Sequence, residues 1–452
     1  MVRDIIMSSH NKSATLWLFV LGLFSETKVF VFGCLAISEI IVFAAAPFLF
    51  MVDYHILKRD HFLSFIWMAI GMMAALFISS WYNHTAFPFV FKSFAVMYGV
   101  VAYFIVFHRL LRGNYAAIKW LFIGAFISSI ITIFALNPSA VVTESGYGYM
   151  GSADLNDLVV GPLFWTSKLK ALFNIFLCGY YFETPLALLI AFPVVYVAVA
   201  VLTTVSGRAS SLALILTAVI IIIGRKRRSL MYNIGRHLWM FMACLVLVLI
   251  CAKYAYQYTA SNGLLGEGAQ RKYEAQTKHG NSILSMLMAG RTEFFVSFRA
   301  VFDKPILGHG PRAEDTNGYW MKFVSEYGDE RDILSMQNSL ALAAQHGQRV
   351  TIPSHSHIMG GWLHYGIFGF IFYAWILLLI YQHFKRHMGA IPQWYGFFAS
   401  FVPYYMWNIF FSPFGSRWMF AILMTCIFYA RAIGRGYLQL PIELEMQARS
   451  RE

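Results

Sequence analysis

The sequence predicts an all-α, polytopic integral membrane protein of about 12 transmembrane helices with one large outer loop, and three observations predict it. Hydrophobic residues make up 59% of the 452 residues and charged residues only 13%, more apolar surface than a water-soluble core could enclose. Apolar runs of about the 20 residues that cross a bilayer as a helix recur along the chain. The basic residues alternate in density between the segments that separate those runs.

In chain order the runs are 13–24, 29–51, 62–80, 89–107, 116–136, 158–181, 185–205, 209–223, 237–258, 356–381, 393–411 and 417–430. The first and eighth are short. Lys168 and Lys170 interrupt the sixth, and a charge at mid-bilayer costs about 3 kcal/mol or more. A polar stretch separates the ninth run from the tenth. The chain therefore divides into 1–252 with the first nine spans (the last ending near 258), a loop over 253–355 with an amphipathic helix, three spans in 356–432, and a short tail over 433–452.

With the amino terminus inside, the inward segments hold Arg3, Lys12, Lys58, Arg59, Arg109, Arg112, Lys119, Arg225-Lys226-Arg227-Arg228, Arg236, Lys385, Arg386, Arg431, Arg435, Arg449 and Arg451. The short outward loops hold only Lys28, Arg208 and Arg417. This asymmetry puts both termini in the cytoplasm, and it puts Arg208, the large loop and the histidines at its end on one outer face. The net charge of +13 then reads as topology and contact with anionic lipid, not as a nucleic-acid surface. No small-residue cleavage site follows the first apolar run, so no cleavable signal is expected. All five cysteines fall in apolar segments, which leaves neither a disulfide framework nor metal-ligand spacing.

The large loop holds eleven basic and ten acidic residues, a mixture that suits a folded segment. Over 282–303 its pattern is helical. On a wheel of about 100° per residue, Leu284, Leu287, Met288, Phe294, Phe295, Phe298 and Phe302 lie within about 60° of Arg291, while Ser285, Glu293, Ser297 and Asp303 lie on the other side. Arg291 thus projects from an apolar stripe and needs an anionic partner there. A structural ion pair or a snorkelling head would satisfy it; so would a phosphate, which the planar guanidinium grips with two parallel donors. Arg208 stands at a helix start after Ser206, where helix terminus and arginine act together on one anion. Its plain alternative is an anchor at the headgroups. The loop ends in Pro353-Ser354-His355-Ser356-His357 at the mouth of the next span, and His364 follows on the face of His357. Any of these imidazoles suits a general base near neutral pH, although a single histidine is as readily a structural hydrogen-bonding residue.

Three segments in order carry a resemblance: Ser206-Gly207-Arg208-Ala209 before a leucine-rich span; Gly290-Arg291-Thr292-Glu293 followed by Lys304-Pro305-Ile306-Leu307-Gly308-His309-Gly310; and His355-Ser356 ahead of Gly366-Ile367-Phe368-Gly369. Together, over roughly the carboxy-terminal two-thirds of the chain, they are similar to the bacterial O-antigen ligase and polymerase family. The resemblance implies an inner-membrane glycosyltransferase with a multi-span catalytic fold and a periplasmic loop. It implies transfer of a saccharide from undecaprenyl pyrophosphate to a hydroxyl acceptor, on a lipid A core for a ligase or on a growing lipid-linked glycan for a polymerase. The family's outer-face arginines correspond to Arg208 and Arg291 as pyrophosphate-binding residues, and its loop-end histidine to His355 as the base. The chain departs from the family in having Ser356 where asparagine is common and His364 near an acidic position. His357 therefore remains a second candidate for the base.

Such a transfer needs charge neutralised on the departing diphosphate and a proton taken from the acceptor, which arginines and a neutral histidine supply. Other lipid-dependent glycosyltransferases hold a divalent metal with acids in an early outer loop. Here the first two outer loops contain only Glu26, so no metal and no other cofactor is expected. The partners expected are the lipid-linked donor, the glycan acceptor and membrane lipids, without nucleic acid. A polysaccharide or lipid transporter (a flippase) is the competing class, since Glu39, Lys168 and Lys170 are ionisable groups within apolar runs. It would depend on those residues, whereas an enzyme would depend on Arg208, Arg291 and a loop-end histidine.

Overall fold

The computed structural model describes residues 2–25, 27–30, 34–112, 117–135, 186–202, 217–223, 237–264, 292–327, 350–354, 356–387, 392–411 and 417–434, with a few further positions between 215 and 341. Helix accounts for 83% of the described residues, as the all-α expectation requires. In chain order the elements are α1 (Val2–Leu23), a hairpin of β1 (Lys28–Phe30) and β2 (Cys34–Ala36), α2 (Ile37–Arg59), α3 (Leu63–Tyr82), α4 (Phe87–Leu111) and α5 (Ile118–Ala135). There follow α6 (Leu186–Leu202), α7 (Leu238–Ser261), α8 (Thr292–Val301), α9 (Tyr319–Tyr327), α10 (His357–Tyr365), α11 (Ile367–His387), α12 (Pro392–Phe411) and α13 (Arg417–Gly434). Among the described residues three helices, α2, α3 and α4, are long and apolar enough to cross a membrane. The expected run 158–181, with Lys168 and Lys170, and the basic run 225–228 lie outside the described residues.

The α4 helix forms the axis of the bundle. Every residue from Gly99 to His108 is buried, because α1, α2, α3 and α13 all pack against it; a helix that is apolar all round belongs in such a centre. Phe104 meets Phe62, Phe65 and Phe428 with ring centroids 5.2, 4.5 and 5.6 Å apart. At its beginning Pro88 occupies the first turn, where a missing N–H costs no hydrogen bond. The α1–α5 pair closes without side chains between: a Cβ on Gly22 would lie 2.1 Å from the Leu121 carbonyl oxygen, and one on Gly124 2.2 Å from that of Phe19. Small residues permit this approach, which is a common way for apolar helices to associate in lipid.

The far end of α4 gathers the charges. Arg109 Nη1 reaches Asp53 Oδ1 at 2.8 Å, and Arg59 Nε reaches Asp60 Oδ1 at 3.0 Å. His108 Nε2 stands 3.5 Å and Arg112 Nε 3.9 Å from Asp60 Oδ2. Burial acts to raise the Asp60 carboxyl, but His108, Arg59 and the charge of Arg112 outweigh it and hold the group below its ordinary value. Arg59, Arg109 and Arg112 thus meet Asp53 and Asp60 at one end of the bundle.

Two expectations need correction. The run read as a span over 29–51 is a strand hairpin followed by a helix that starts only at Ile37 and extends to Arg59. Glu39 fixes that start by accepting the Ala36 N–H at 3.1 Å. The run 356–381 is two helices, broken at Gly366 with φ 68°. Along the phenylalanine stripe at α8, Phe294 and Phe295 pack on Phe411 and Phe323, Phe298 and Phe302 are exposed, and Thr292, Val296, Ser297, Ala300 and Val301 are buried. Ser297 goes inside because its hydroxyl is satisfied there, donating to the Pro353 carbonyl at 2.6 Å.

Candidate functional site

Where α3 stops and α4 starts, three stretches of chain converge: the turn 302–318, the strap 350–354 and α10 with its cap Ser356. A small core of Val296, Ala300, Trp320, Val324, Ile352 and Leu363 holds α8 and α9 under them. The strap is tied along its length. Ile352 N–H donates to the Ala313 carbonyl and Asp315 N–H to that of Val350, both at 2.8 Å. Ser356 caps α10, accepting the Met359 N–H at 3.2 Å while its own hydroxyl donates to the Ile409 carbonyl at 3.0 Å.

The segment Lys304–Gly310 clasps the end of α10. His309 N–H donates to the Leu363 carbonyl at 2.6 Å, Ile367 N–H to that of Ile306 at 3.1 Å, and the Trp362 indole to that of Pro305 at 2.8 Å. The clasp requires glycines: Gly308 and Gly366 both have positive φ, and a Cβ on Gly366 would fall 1.9 Å from the Ile306 carbonyl oxygen. The glycine spacing noted in the sequence therefore has a packing cause. The end of α3 completes the cluster. Asn83 Nδ2 donates to the Gly308 carbonyl at 3.0 Å, Lys304 Nζ donates to Asn83 Oδ1 at 2.7 Å, and Ser79 Oγ donates to the His364 carbonyl at 2.9 Å.

Two histidines have tautomers fixed by their partners. His309 Nε2 lies 2.9 Å from the Ala300 carbonyl oxygen; a carbonyl only accepts, so Nε2 carries the proton. Burial pushes this imidazole below its ordinary value, and the bond to Ala300, which acts the other way, does not cancel it. His364 Nδ1 lies 2.9 Å from the Gly310 carbonyl oxygen, and its Nε2 lies 3.2 Å from Ser354 Oγ. By the same reasoning Nδ1 holds the proton. Around the cluster, Lys304 and Arg312 are exposed cations. Arg312 sits at φ 53°, its guanidinium 5.0 Å above the Phe89 ring. Trp81, Tyr82 and Phe302 form an exposed aromatic edge beside them, the arrangement favoured at headgroup level.

Of the residues expected to carry the chemistry, Arg208, Arg291 and His355 lie outside the described residues. His357 is described and is 4% exposed in the first turn of α10, with Tyr373 packed at 5.6 Å between ring centroids. Sequence reasoning missed Asn83 and Lys304 as members of the site, and it assigned Ser354 no role. The Ser354 hydroxyl carries no motif of its own; only its neighbour His355 marks the segment. Among the described residues no three His, Cys, Asp or Glu side chains gather as a metal site. No model of a known protein family matches the chain, and no curated protein matches it.

Proposed function

We propose that the protein is a metal-independent glycosyltransferase of the O-antigen ligase and polymerase type, with twelve spans, cytoplasmic termini and the loop 253–355 on the periplasmic face of a bacterial inner membrane. Arg208 and Arg291 neutralise the diphosphate of an undecaprenyl-linked saccharide as it departs. A loop-end histidine, His355 in preference to His357, takes the proton from the acceptor hydroxyl. The observation that supports this best is the convergence of the clasp 304–310, the strap 350–354 and α10 beside exposed cations and an aromatic edge. A hydroxyl acceptor from water and an anionic lipid head could meet at such a rim. The burial of His357 favours His355 as the group an aqueous acceptor reaches.

The acceptor we favour is a lipid A core sugar, which makes the chain a ligase; a growing lipid-linked glycan would make it a polymerase. Analysis of a deletion strain separates them. Full-length lipid-linked polymer with no long chains on lipid A marks a ligase, and a single repeat on the core marks a polymerase. Normal lipopolysaccharide and normal exopolysaccharide would count against both. Single alanine variants assayed with a purified lipid-pyrophosphate donor test the base. A His357→Ala enzyme without turnover beside a near-normal His355→Ala enzyme would overturn the assignment.

A further inference from the structure

The strap and α10 bring a hydroxyl, an imidazole and a carbonyl into one chain of hydrogen bonds, with Ser354 Oγ 3.2 Å from His364 Nε2 and His364 Nδ1 2.9 Å from the Gly310 oxygen. Because the carbonyl fixes the proton on Nδ1, the neutral ring presents its lone pair at Nε2, and Ser354 is the donor of that bond. Neither partner of the ring is charged. A hydroxyl held by a base that a third group orients is the arrangement by which proteins activate an otherwise weak oxygen.

The bond is not needed to hold the strap. Backbone hydrogen bonds from Ile352 and Asp315 and side-chain bonds at Pro353 and Ser356 already fix the chain on both sides of Ser354. Ser79 separately holds the carbonyl of His364. Gly360 also keeps the hydroxyl uncrowded, since a Cβ there would come within 3.3 Å of Ser354 Oγ. The ring is thus fixed from both ends of its own residue, and its one acceptor atom faces the Ser354 hydroxyl.

We propose that Ser354 and His364 form a proton relay that gives the site a second route for the acceptor's proton, beside the loop-end histidine; the role rests on the glycosyl-transfer reading. The acceptor hydroxyl passes its proton to Ser354 Oγ as Ser354 passes its own to His364 Nε2. The acceptor oxygen bonds the anomeric carbon, and the bond from that carbon to the diphosphate oxygen breaks, its electron pair leaving on the diphosphate. His364 ends as imidazolium, still donating from Nδ1 to Gly310, and returns its proton to water when product leaves.

Two measurements on the full chain in nanodiscs test the relay. The first needs no sugar: an alkyl fluorophosphonate, with the modified peptide mapped by mass spectrometry. A polarised Ser354 displaces fluoride and forms the Oγ–phosphorus bond, its proton going to His364. Labelling of Ser354 in the wild type and at least tenfold slower labelling in His364→Asn are expected, because the asparagine amide keeps the bond to Gly310 and removes the Nε2 acceptor. Absent labelling, or an equal rate in His364→Asn, overturns the activated hydroxyl. The second is turnover with an undecaprenyl-pyrophosphate saccharide. General acid–base catalysis contributes about 10²–10⁴-fold, and with the role shared we expect kcat to fall about tenfold in His364→Asn and in Ser354→Ala at unchanged KM. The acid limb of the kcat–pH profile should change shape in both. Ser354→Ala leaves the ring and its bond to Gly310 intact, so it decides the matter if His364→Asn folds poorly. Unchanged kcat and an unchanged acid limb in Ser354→Ala overturn the relay. A wild type that labels at Ser354 but transfers no sugar overturns the glycosyl-transfer reading, and the relay's role with it.

Discussion

Replacing Glu39 by glutamine isolates the charge of the ion pair that joins α2 to α13. Arg417 Nη1 lies 2.6 Å from Glu39 Oε1, and the two side chains are only 20% and 12% exposed. Glutamine keeps the shape and an oxygen for the Ala36 N–H, so what is lost is the counter-charge of a largely buried guanidinium. Breaking a buried pair from one side costs about 3–5 kcal/mol, while replacing both partners by apolar groups is often nearly neutral. The residual exposure of Arg417 draws the expectation to about 3 kcal/mol, roughly a hundredfold in the folding equilibrium. Reversible unfolding in mixed micelles of increasing dodecyl sulfate content measures it, and a cycle with Arg417→Met and the double variant isolates the coupling. The double variant should be more stable than Glu39→Gln alone. A loss below about 1 kcal/mol for Glu39→Gln, or strict additivity of the two changes, would refute the reasoning. The same variant separates the two functional classes. An enzyme keeps its transfer rate per folded molecule, whereas a transporter that uses Glu39 loses its activity.

Further outcomes follow from single residues. Gly366→Ala combines a φ of 68° with a Cβ 1.9 Å from the Ile306 oxygen, and strain of about 1–3 kcal/mol for the backbone alone should abolish the monodisperse species in gel filtration; a normal yield contradicts the clasp. His309 is held below its ordinary value of 6.5, so the stability it confers is complete above that value and is lost as pH falls below it towards the depressed value. Limited proteolysis of the turn 302–318 should accelerate over that window and become pH-independent in His309→Gln. Transfer should be indifferent to EDTA, since Glu26 is the sole acid of the first two outer loops; loss of activity that magnesium or manganese restores would contradict this.

Hydropathy is a local property, and what depends on it alone was legible. Helix dominates the described residues, and α2, α3 and α4 have the length and composition of spans. Boundaries inside an apolar run were not legible. Residues 29–51 are apolar enough for strand or helix, and only the Glu39 side chain, reaching back to Ala36, marks where the helix begins. Gly366 scarcely changes the hydropathy of its run, yet its φ divides it in two. Periodicity identifies the apolar stripe on α8 without saying what covers it: Phe294 and Phe295 pack on the protein, and Phe298 and Phe302 are exposed. The segments of the rim were nameable from the sequence, but their meetings were not. Ser79 and His364 are 285 positions apart, and no local pattern announces a hydroxyl that closes on a carbonyl across that distance.

The most direct test of the account is transfer by purified protein in nanodiscs, given an undecaprenyl-pyrophosphate saccharide and a lipid A core acceptor without added metal. The account predicts a glycosylated acceptor and free undecaprenyl pyrophosphate in equal amounts. It also predicts loss of most of that activity in Arg291→Lys at undiminished expression, because an ammonium cannot reproduce the paired donors of a guanidinium. No product from the wild type with either a lipid A core or a lipid-linked glycan acceptor, or full activity in Arg291→Lys, would contradict it.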